Sequence, residues 1–206
     1  MSEIRRMIQF VSREFDPLAI EAGVKSIISG LNLSLDDDNF KGTPARITRA
    51  YWEILEGLLP HAEKELSEEL SVTFPCKYDQ IITITGIHCW SMCPHHFLPV
   101  EYWIDLGYLP NGKVLGASKL PRAAILLAKR PVLQEQLASD IVTFIHHATD
   151  AQGVGVVVRG QHMCMRMRGV KAEDSEMITS EVIGCFRDDP SVKDEFFKMI
   201  QNGGNR

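Results

Sequence analysis

Two short segments set the strongest demand on how this chain can fold. Ser91-Met92-Cys93-Pro94-His95-His96 and, about seventy residues later, Gln161-His162-Met163-Cys164 each carry a thiol and at least one imidazole. Zinc favours such borderline-soft ligands, and a Cys/His set drawn from two distant segments is a common way to hold it. A structural zinc usually closes its shell with four protein ligands arranged in pairs. Here Cys93-x-x-His96 makes one pair, Cys164 has no second thiol nearby, and His95 and His162 are left over. Three ligands, Cys93, His96 and Cys164, plus an open position for water describe a catalytic zinc, with His95 and His162 available for proton transfer. Buried thiols and hydrogen-bonded core histidines would account for any one of these five residues, but poorly for all five in two tight clusters.

The bulk properties exclude other classes. A chain of 206 residues, 45% hydrophobic, suits one globular domain with a helical extension. A net charge of −5 and a pI near 5.8 argue against nucleic acid as the main partner. No apolar run reaches membrane-spanning length, so no membrane partner is expected. Met1-Ser2-Glu3-Ile4-Arg5-Arg6 leads into a mixed amphipathic segment rather than a secretory core. The five cysteines are an odd number at low density, which suits a reducing, cytoplasmic location where thiols stay free for metal.

Hydrophobic periodicity predicts helices over residues 1 to about 75. Ile20, Val24, Ile27, Ile28 and Leu31 read as a buried stripe; Thr43 caps a second helix with Pro44 at its first position and Ile47, Tyr51, Ile54 and Leu55 inward. The charge-rich stretch Glu63 to Glu69 reads as a solvated face or loop. From about residue 77 the period drops to two: Ile82, Ile84 and Gly86, then Val100, Tyr102, Ile104 and Leu106, predict strands. Pro110-Asn111-Gly112 predicts that the second strand folds back as a hairpin. Ser118 starts a helix with Leu120, Ala123, Ala124, Leu127 and Ala128, and Pro131 opens another with Leu133, Leu137, Ile141, Phe144 and Ile145 inward. Strands follow at 153–158 and 176–186. Asp189-Pro190 then caps a last helix bearing Phe196, Phe197 and Ile200, and the 202–206 tail frays. This order is α+β, not a βαβ repeat, with a helical region at 1–75 and the catalytic domain at 76–206.

Further residues suit an anionic, purine-like ligand. Gly116-Ala117-Ser118-Lys119-Leu120-Pro121-Arg122 is a small-residue turn entering a helix N-terminus, where free N–H groups and the macrodipole favour negative charge. Lys119 and Arg122 share a face there and call for a compensating anion; ordinary surface bases on a capped helix are the alternative. Arg166 and Arg168 follow Cys164 on a strand-like segment, a second basic source near the metal. Lys129 and Arg130 are explained by the dipole at the helix end. In Gln134-Glu135, the carboxylate suits paired hydrogen bonds from the N1–H and 2-amino edge of guanine, although acidic residues are favoured in a first helical turn anyway. Cys89 reads as a buried structural thiol, as do Cys76 and Cys185. Trp90, Trp103 and Met163, Met165 and Met167 read as packing, and His146 and His147 as residues suited to a helix C-terminus.

Taken in order, Cys-x-His-His, Gly-x-Ser-Lys-x-x-Arg, Arg-Pro-x-x-Gln-Glu and His-x-Cys-Met-x-x-Arg-Gly resemble the GTP cyclohydrolase I family, as does Thr43-Pro44-Ala45-Arg46-Ile47, over roughly residues 16 to 200. The resemblance implies a tunnelling fold, an antiparallel sheet backed by two antiparallel helices, assembled as a homodecamer with active sites between subunits. It implies zinc on Cys93, His96 and Cys164, proton transfer by His95 and His162, and the guanine edge on Gln134 and Glu135. The triphosphate would lie on Ser118, Lys119, Arg122 and Arg168, with Arg46 contributed by a neighbouring subunit. The implied reaction takes GTP to 7,8-dihydroneopterin triphosphate and formate, the first step towards tetrahydrofolate and other pterins. This chain has Pro94 where the family often has Glu, and Gln136 where it often has Arg, which bears on hydrogen bonding around the purine. Two other readings are a zinc-stabilised binding module, which needs Cys89 or another group to close the metal shell, and a relative on the same fold acting on a different purine or pterin.

Overall fold

The computed structural model describes residues 14–203. The amphipathic opening segment and the last three residues of the tail lie outside them. Three helices come first: α1 (Pro17–Gly30), α2 (Thr43–Ile54) and, after a 3-10 turn at Glu56–Leu58, α3 (Pro60–Ser71). The sheet region follows as β1 (Thr73–Pro75), β2 (Ile82–Met92), β3 (Pro99–Leu109), β4 (Lys113–Leu115), α4 (Lys119–Ala128), α5 (Gln134–Thr149) and β5 (Gly153–His162). The short helix α6 (Met163–Arg166), β6 (Met177–Gly184), α7 (Cys185–Asp188) and α8 (Pro190–Gly203) complete it. The chain is α+β, as its pattern predicts: β2, β3, β5 and β6 form one antiparallel sheet in that order, with α4 and α5 packed on one face.

The core lies between that face and the two helices. Val100, Tyr102, Ile104 and Leu106 from β3 and Val154, Val156 and Val158 from β5 meet Leu120, Ala124 and Leu127 of α4 and Leu137, Ile141 and Phe144 of α5, all essentially inaccessible to solvent. Period-two alternation on the strands and three-to-four spacing on the helices bring the two sets into register. A smaller cluster, Ile81, Val157, Phe186, Phe196 and Ile200, seats α8 on the opposite face. The Phe196 ring lies against Gly107 and Gly155, which are paired across β3 and β5; a Cβ at Gly155 would fall 2.8 Å from that ring.

Several local expectations are corrected. On α1 only Val24 and Ile28 are buried, while Ile27 and Leu31 are exposed, because the helix packs chiefly on α2. The N-cap of α2 is Gly42 in the left-handed region, with Thr43 the first helical residue; on this helix Ile54 faces outward and Pro44, Thr48 and the following Leu55 are buried. Residues 63–69 are helical, and Glu69 is buried rather than solvated. The turn at 110–112 does not make a hairpin with β3: β4 pairs with β1 in a separate two-stranded sheet, so the helical region before residue 76 ends in a strand. Pro131 precedes α5, whose N-cap is the exposed Leu133, and Pro131 instead bridges to Met92. Asn202 and Gly203 close α8. Lys129 and Arg130 are held by more than the helix dipole: Lys129 pairs with Glu56, and the buried Arg130 pairs with Asp140 and donates to Leu127 O.

The Glu56–Lys129 pair ties the N-terminal helices to α4. The Lys129 ammonium holds the Glu56 carboxyl below its ordinary value, against the opposing effect of burial. A lowered folded value means that the pair's contribution is whole above the unfolded carboxyl value, about 4.3, and is lost as pH falls through the folded one. Both side chains are one-third exposed, so Glu56→Gln should lower stability at pH 7 by no more than about 1 kcal/mol. Thermal melts should show that gap close as pH falls through the lowered folded value; a gap independent of pH would show that charge is not what the pair contributes.

Candidate active site and metal centre

The site begins with strand register. Val100 on β3 lies opposite Ser91 on one side and His162 on the other. Both pairings are antiparallel, so β2 and β5 run the same way and leave the sheet at the same end. Cys93 and Cys164 each come two residues after that row, which brings together thiols 71 residues apart. After β2 the chain turns tightly. Cys93 N–H donates to Leu98 O at 2.9 Å, Phe97 N–H donates to Cys93 O at 2.9 Å, and Phe97 adopts a φ of 52°, uncommon for a bulky residue. The turn carries His95 and His96 back over Cys93: His96 Nδ1 is 3.8 Å and His95 Nδ1 4.0 Å from Cys93 Sγ. After β5, α6 swings Cys164 inward rather than continuing as the expected strand.

The donor atoms of Cys93, His96 and Cys164 all lie within 4.8 Å of one another. Two sulfurs each about 2.3 Å from a tetrahedral centre are separated by about 3.8 Å, and Cys93 Sγ and Cys164 Sγ are 3.8 Å apart. The set therefore fits a tetrahedral metal of zinc type with one position left over. Cys89 does not join it; its thiol is buried in the core and burial pushes its pKa up to about 12. Burial also raises the Cys164 thiol, with the neighbouring Cys93 adding to the effect, a shift that the charge of a bound metal would oppose.

The start of α5 forms the opposite wall. Ser91 Oγ donates to Arg130 O at 3.0 Å and Met92 bridges to Pro131, pinning the link from α4 to the end of β2. Glu135, in the first turn of α5, then lines a cavity of about 210 Å3 with Cys93, Pro94, His95, His96, His162 and Cys164. His162 has a lowered pKa, mainly through burial, partly offset by Glu135. Gln134 also lines the cavity, but its amide is committed inside the chain: Nε2 donates to Val158 O and Met177 O, each at 2.9 Å, and Oε1 is 2.9 Å from His162 Nε2. Gln136 lies outside the cavity lining and donates to Asp140 Oδ1 at 2.7 Å.

Ser118, Lys119, Arg122, Arg46 and Arg168 do not line the cavity, although Arg168 lies close to Cys164. Ser118 is the exposed N-cap of α4. Lys119 Nζ lies 2.7 Å from Glu69 Oε2, placed for an ion pair rather than a directed hydrogen bond, and Arg122 is 3.6 Å from the other oxygen. The anion called for by those two cations is thus partly supplied from within, by α3. Arg46 donates to Asn39 O, Lys41 O and Thr43 Oγ1, holding the loop before α2. Arg168 is exposed and close enough to Cys164 to favour its thiolate, whereas Arg166 donates to Gln161 Oε1 and Glu173 O. Sequence reasoning missed Glu69, hidden in a charge-rich helix, and Tyr102, read as one more apolar strand residue. Tyr102 is fully buried, its ring meets His162 edge-on at 5.9 Å, and its hydroxyl has no hydrogen-bond partner among the described residues. Trp90 is half exposed and lines an apolar cavity of about 340 Å3 with Ile54, Cys89 and Ile125.

Comparison with known proteins bears on this arrangement. The family model for GTP cyclohydrolase I matches residues 20–201. A GTP cyclohydrolase 1 of Dehalococcoides mccartyi is 36% identical over 192 residues, covering 92% of this chain and all of that protein. The enzymes of that name from Clostridium perfringens and Pelotomaculum thermopropionicum are 39% and 38% identical, covering 88% and 91% of this chain and 96% and 98% of their own. The solved structure of an apo archaeosine synthase QueF-Like shares 19% identity over 52% of this chain and 97% of its own, with a TM-score of 0.43, too slight a likeness to carry an argument.

Cys93→Ser, His96→Ala and Cys164→Ser should each lose bound zinc, because three ligands leave no redundancy. His95→Ala, His162→Ala and Cys89→Ser should keep it. Metal analysis of the purified variants checks this, and full occupancy in any of the first three would remove that residue from the ligand set.

Proposed function

The chain belongs to the GTP cyclohydrolase I family, and from that premise we propose that it opens the imidazole ring of GTP at C8, giving 7,8-dihydroneopterin triphosphate and formate. The observation that carries this reading is one cavity holding a three-ligand metal set, two histidines outside that set and a carboxylate at a helix start. A bound zinc would supply Lewis acidity, making water a usable nucleophile near neutral pH. Glu135 accepts the N1–H and 2-amino hydrogens of guanine and so fixes the purine with C8 towards His95, His96 and His162. His95 and His162 carry the protons that two C–N cleavages and the later ring closure require. A module that only binds would need a closed metal shell, and the position of Cys89 in the core counts against that alternative.

The triphosphate falls to Ser118, Lys119, Arg122, Arg168 and Arg46. The ten residues of α4 span about 15 Å, which separates Lys119 from the link that leads into Glu135. In this reading Lys119 and Arg122 serve the purine pocket of a neighbouring copy of the chain, while Arg168 lies near the pocket of its own. The sheet supports the same reading, since β2, eleven residues long, and β6 are its outer strands and carry the exposed Trp90 and Ile178. Such edges call for partners, and a ring of the decameric kind would provide them. The reaction places the product at the entry to reduced-pterin synthesis, in the cytoplasm; among the described residues no helix is long and apolar enough to cross a membrane.

Zinc-loaded protein incubated with GTP should release formate and a product that becomes a fluorescent pterin on oxidation, while ATP should remain unchanged. Glu135→Ala should abolish productive GTP binding, since a guanine donor edge left unpaired is strongly disfavoured. Equal affinity of the wild type for GTP and ATP would overturn the guanine assignment.

Sedimentation tests the shared site separately. The active species should be a large ring, and a fully active monomer at micromolar concentration would refute it.

A further inference from the structure

We propose that Gln134 is a positioning residue rather than a substrate contact: it fixes His162 in the Nε2–H tautomer and leaves Nδ1 as the nitrogen that exchanges protons. The proposal rests on the reading of His162 as a proton-transfer group. Its basis is a count of donors and acceptors. The carboxamide of Gln134 is buried, and its NH2 group lies 2.9 Å from both Val158 O and Met177 O. Carbonyl oxygens only accept, so both amide hydrogens are used there and the amide orientation is settled; the flipped form would set Oε1 against two oxygens. Oε1, itself only an acceptor, then faces His162 Nε2 at 2.9 Å. A bare nitrogen there would oppose two lone pairs, so Nε2 carries the hydrogen. In the neutral ring Nδ1 is consequently unprotonated.

The surroundings hold this arrangement in place. Val158 is on β5 and Met177 opens β6, so the amide straddles two paired strands from the first residue of α5. It lies directly over Gly160, where an added Cβ would collide with Oε1 and fall 2.7 Å from Tyr102 Cε1. Tyr102, opposite Gly160 across β3 and β5, also meets the edge of the His162 ring. Only glycine at 160 lets the amide and the tyrosine ring lie this close to the strand. With Nε2–H retained by Gln134 throughout, a proton enters and leaves at Nδ1: the imidazolium forms when Nδ1 accepts one and reverts when Nδ1 donates it to a substrate nitrogen.

Solid-state 15N NMR of the zinc-loaded full chain labelled at histidine, with His162→Asn to assign the signals, reads the tautomer directly. Protonated Nε2 and bare Nδ1 are expected. An Nδ1–H ring in the wild type would overturn the proposal, whatever the variants do. Gln134→Met, similar in size but lacking both donor and acceptor, should give mixed tautomers and a kcat lowered about tenfold or more, as losses of orienting partners do. KM for GTP should stay within about twofold and zinc content should not change. Gly160→Ala, which pushes the amide without altering any group that reaches substrate, should reproduce the kcat loss and the tautomer shift. A raised KM with kcat preserved in Gln134→Met would instead make Gln134 a substrate contact. Protein inactive on GTP that still shows the Nε2–H ring would defeat the proposed activity and support this assignment. If Gln134→Met fails to fold, the wild-type spectrum and Gly160→Ala decide.

Discussion

Strand β3 pairs with β2 on one side and β5 on the other, and the site depends on the register of both ladders. A slip of one residue would turn every side chain to the opposite face and separate the two thiols. The register of β2 is adjusted by a bulge between Ile84 and Ile87, where Gly86 takes a φ of 72° and its N–H is held at 2.8 Å by Asp105 Oδ1. The bulge also changes the phase of the strand. Before it the even-numbered Ile82 and Ile84 pack against the helix-covered core; after it Ile87, Cys89 and Ser91 are buried. That switch brings β2 to its end with Cys93 inward. Asp105, itself paired with Arg159 on β5, thus links the bulge to the neighbouring strand that delivers Cys164.

The second dependence is on how α5 begins. Helix starts favour acidic residues on electrostatic grounds alone, so Glu135 needs no function to explain it. What holds it in the cavity wall is the anchoring beneath: Ser91 on Arg130 O, Met92 on Pro131, and buried Arg130 with Asp140, which also accepts from Gln136. Buried ion pairs seldom contribute much net stability but are strongly destabilising when broken from one side. Here the pair holds the loop that carries Gln134 and Glu135 to the ends of β2 and β5. Gln136 is thereby employed in the scaffold, and the difference at 136 bears on packing below the helix; the difference at Pro94, which lines the cavity, bears on the site itself.

The α+β class was legible from periodicity, the convergence of Cys93, His96 and Cys164 from the matching residue types of two separate segments, and the two helices over an antiparallel sheet from the family resemblance. Features that depend on distant partners with no distinctive residue type to mark them were not legible. Glu69 reads as one charge among many in 63–69, and only the packing of α3 near the start of α4 reveals its cations. Thr73 to Pro75 is too short to announce a strand without β4 beside it, and the turn at 110–112 pointed to the wrong partner for the same reason. The stripe on α1 was half right because periodicity reports an apolar face, not what covers it. The two carbonyl acceptors of Gln134 lie on β5 and β6, and no local pattern encodes them.

The placing of Lys119 and Arg122 outside the cavity lining and the open edges of the sheet are both accounted for by the assembly proposed above. A four-stranded sheet backed by two helices fills its own core yet leaves an eleven-residue edge on β2, far too long to be hidden by a short loop. In the assembly proposed above, another copy would close that edge, and the start of its α4 would supply the cations that the cavity of one chain lacks. Glu69 compensates the cationic start of α4: a carboxylate beside Lys119 and Arg122 keeps it from opposing its own dipole unaided. It leaves one positive charge in excess, on a site whose Arg122 remains largely open to solvent. The helix start is therefore compensated without ligand and still attractive to an anion, a balance that suits the shared site proposed above.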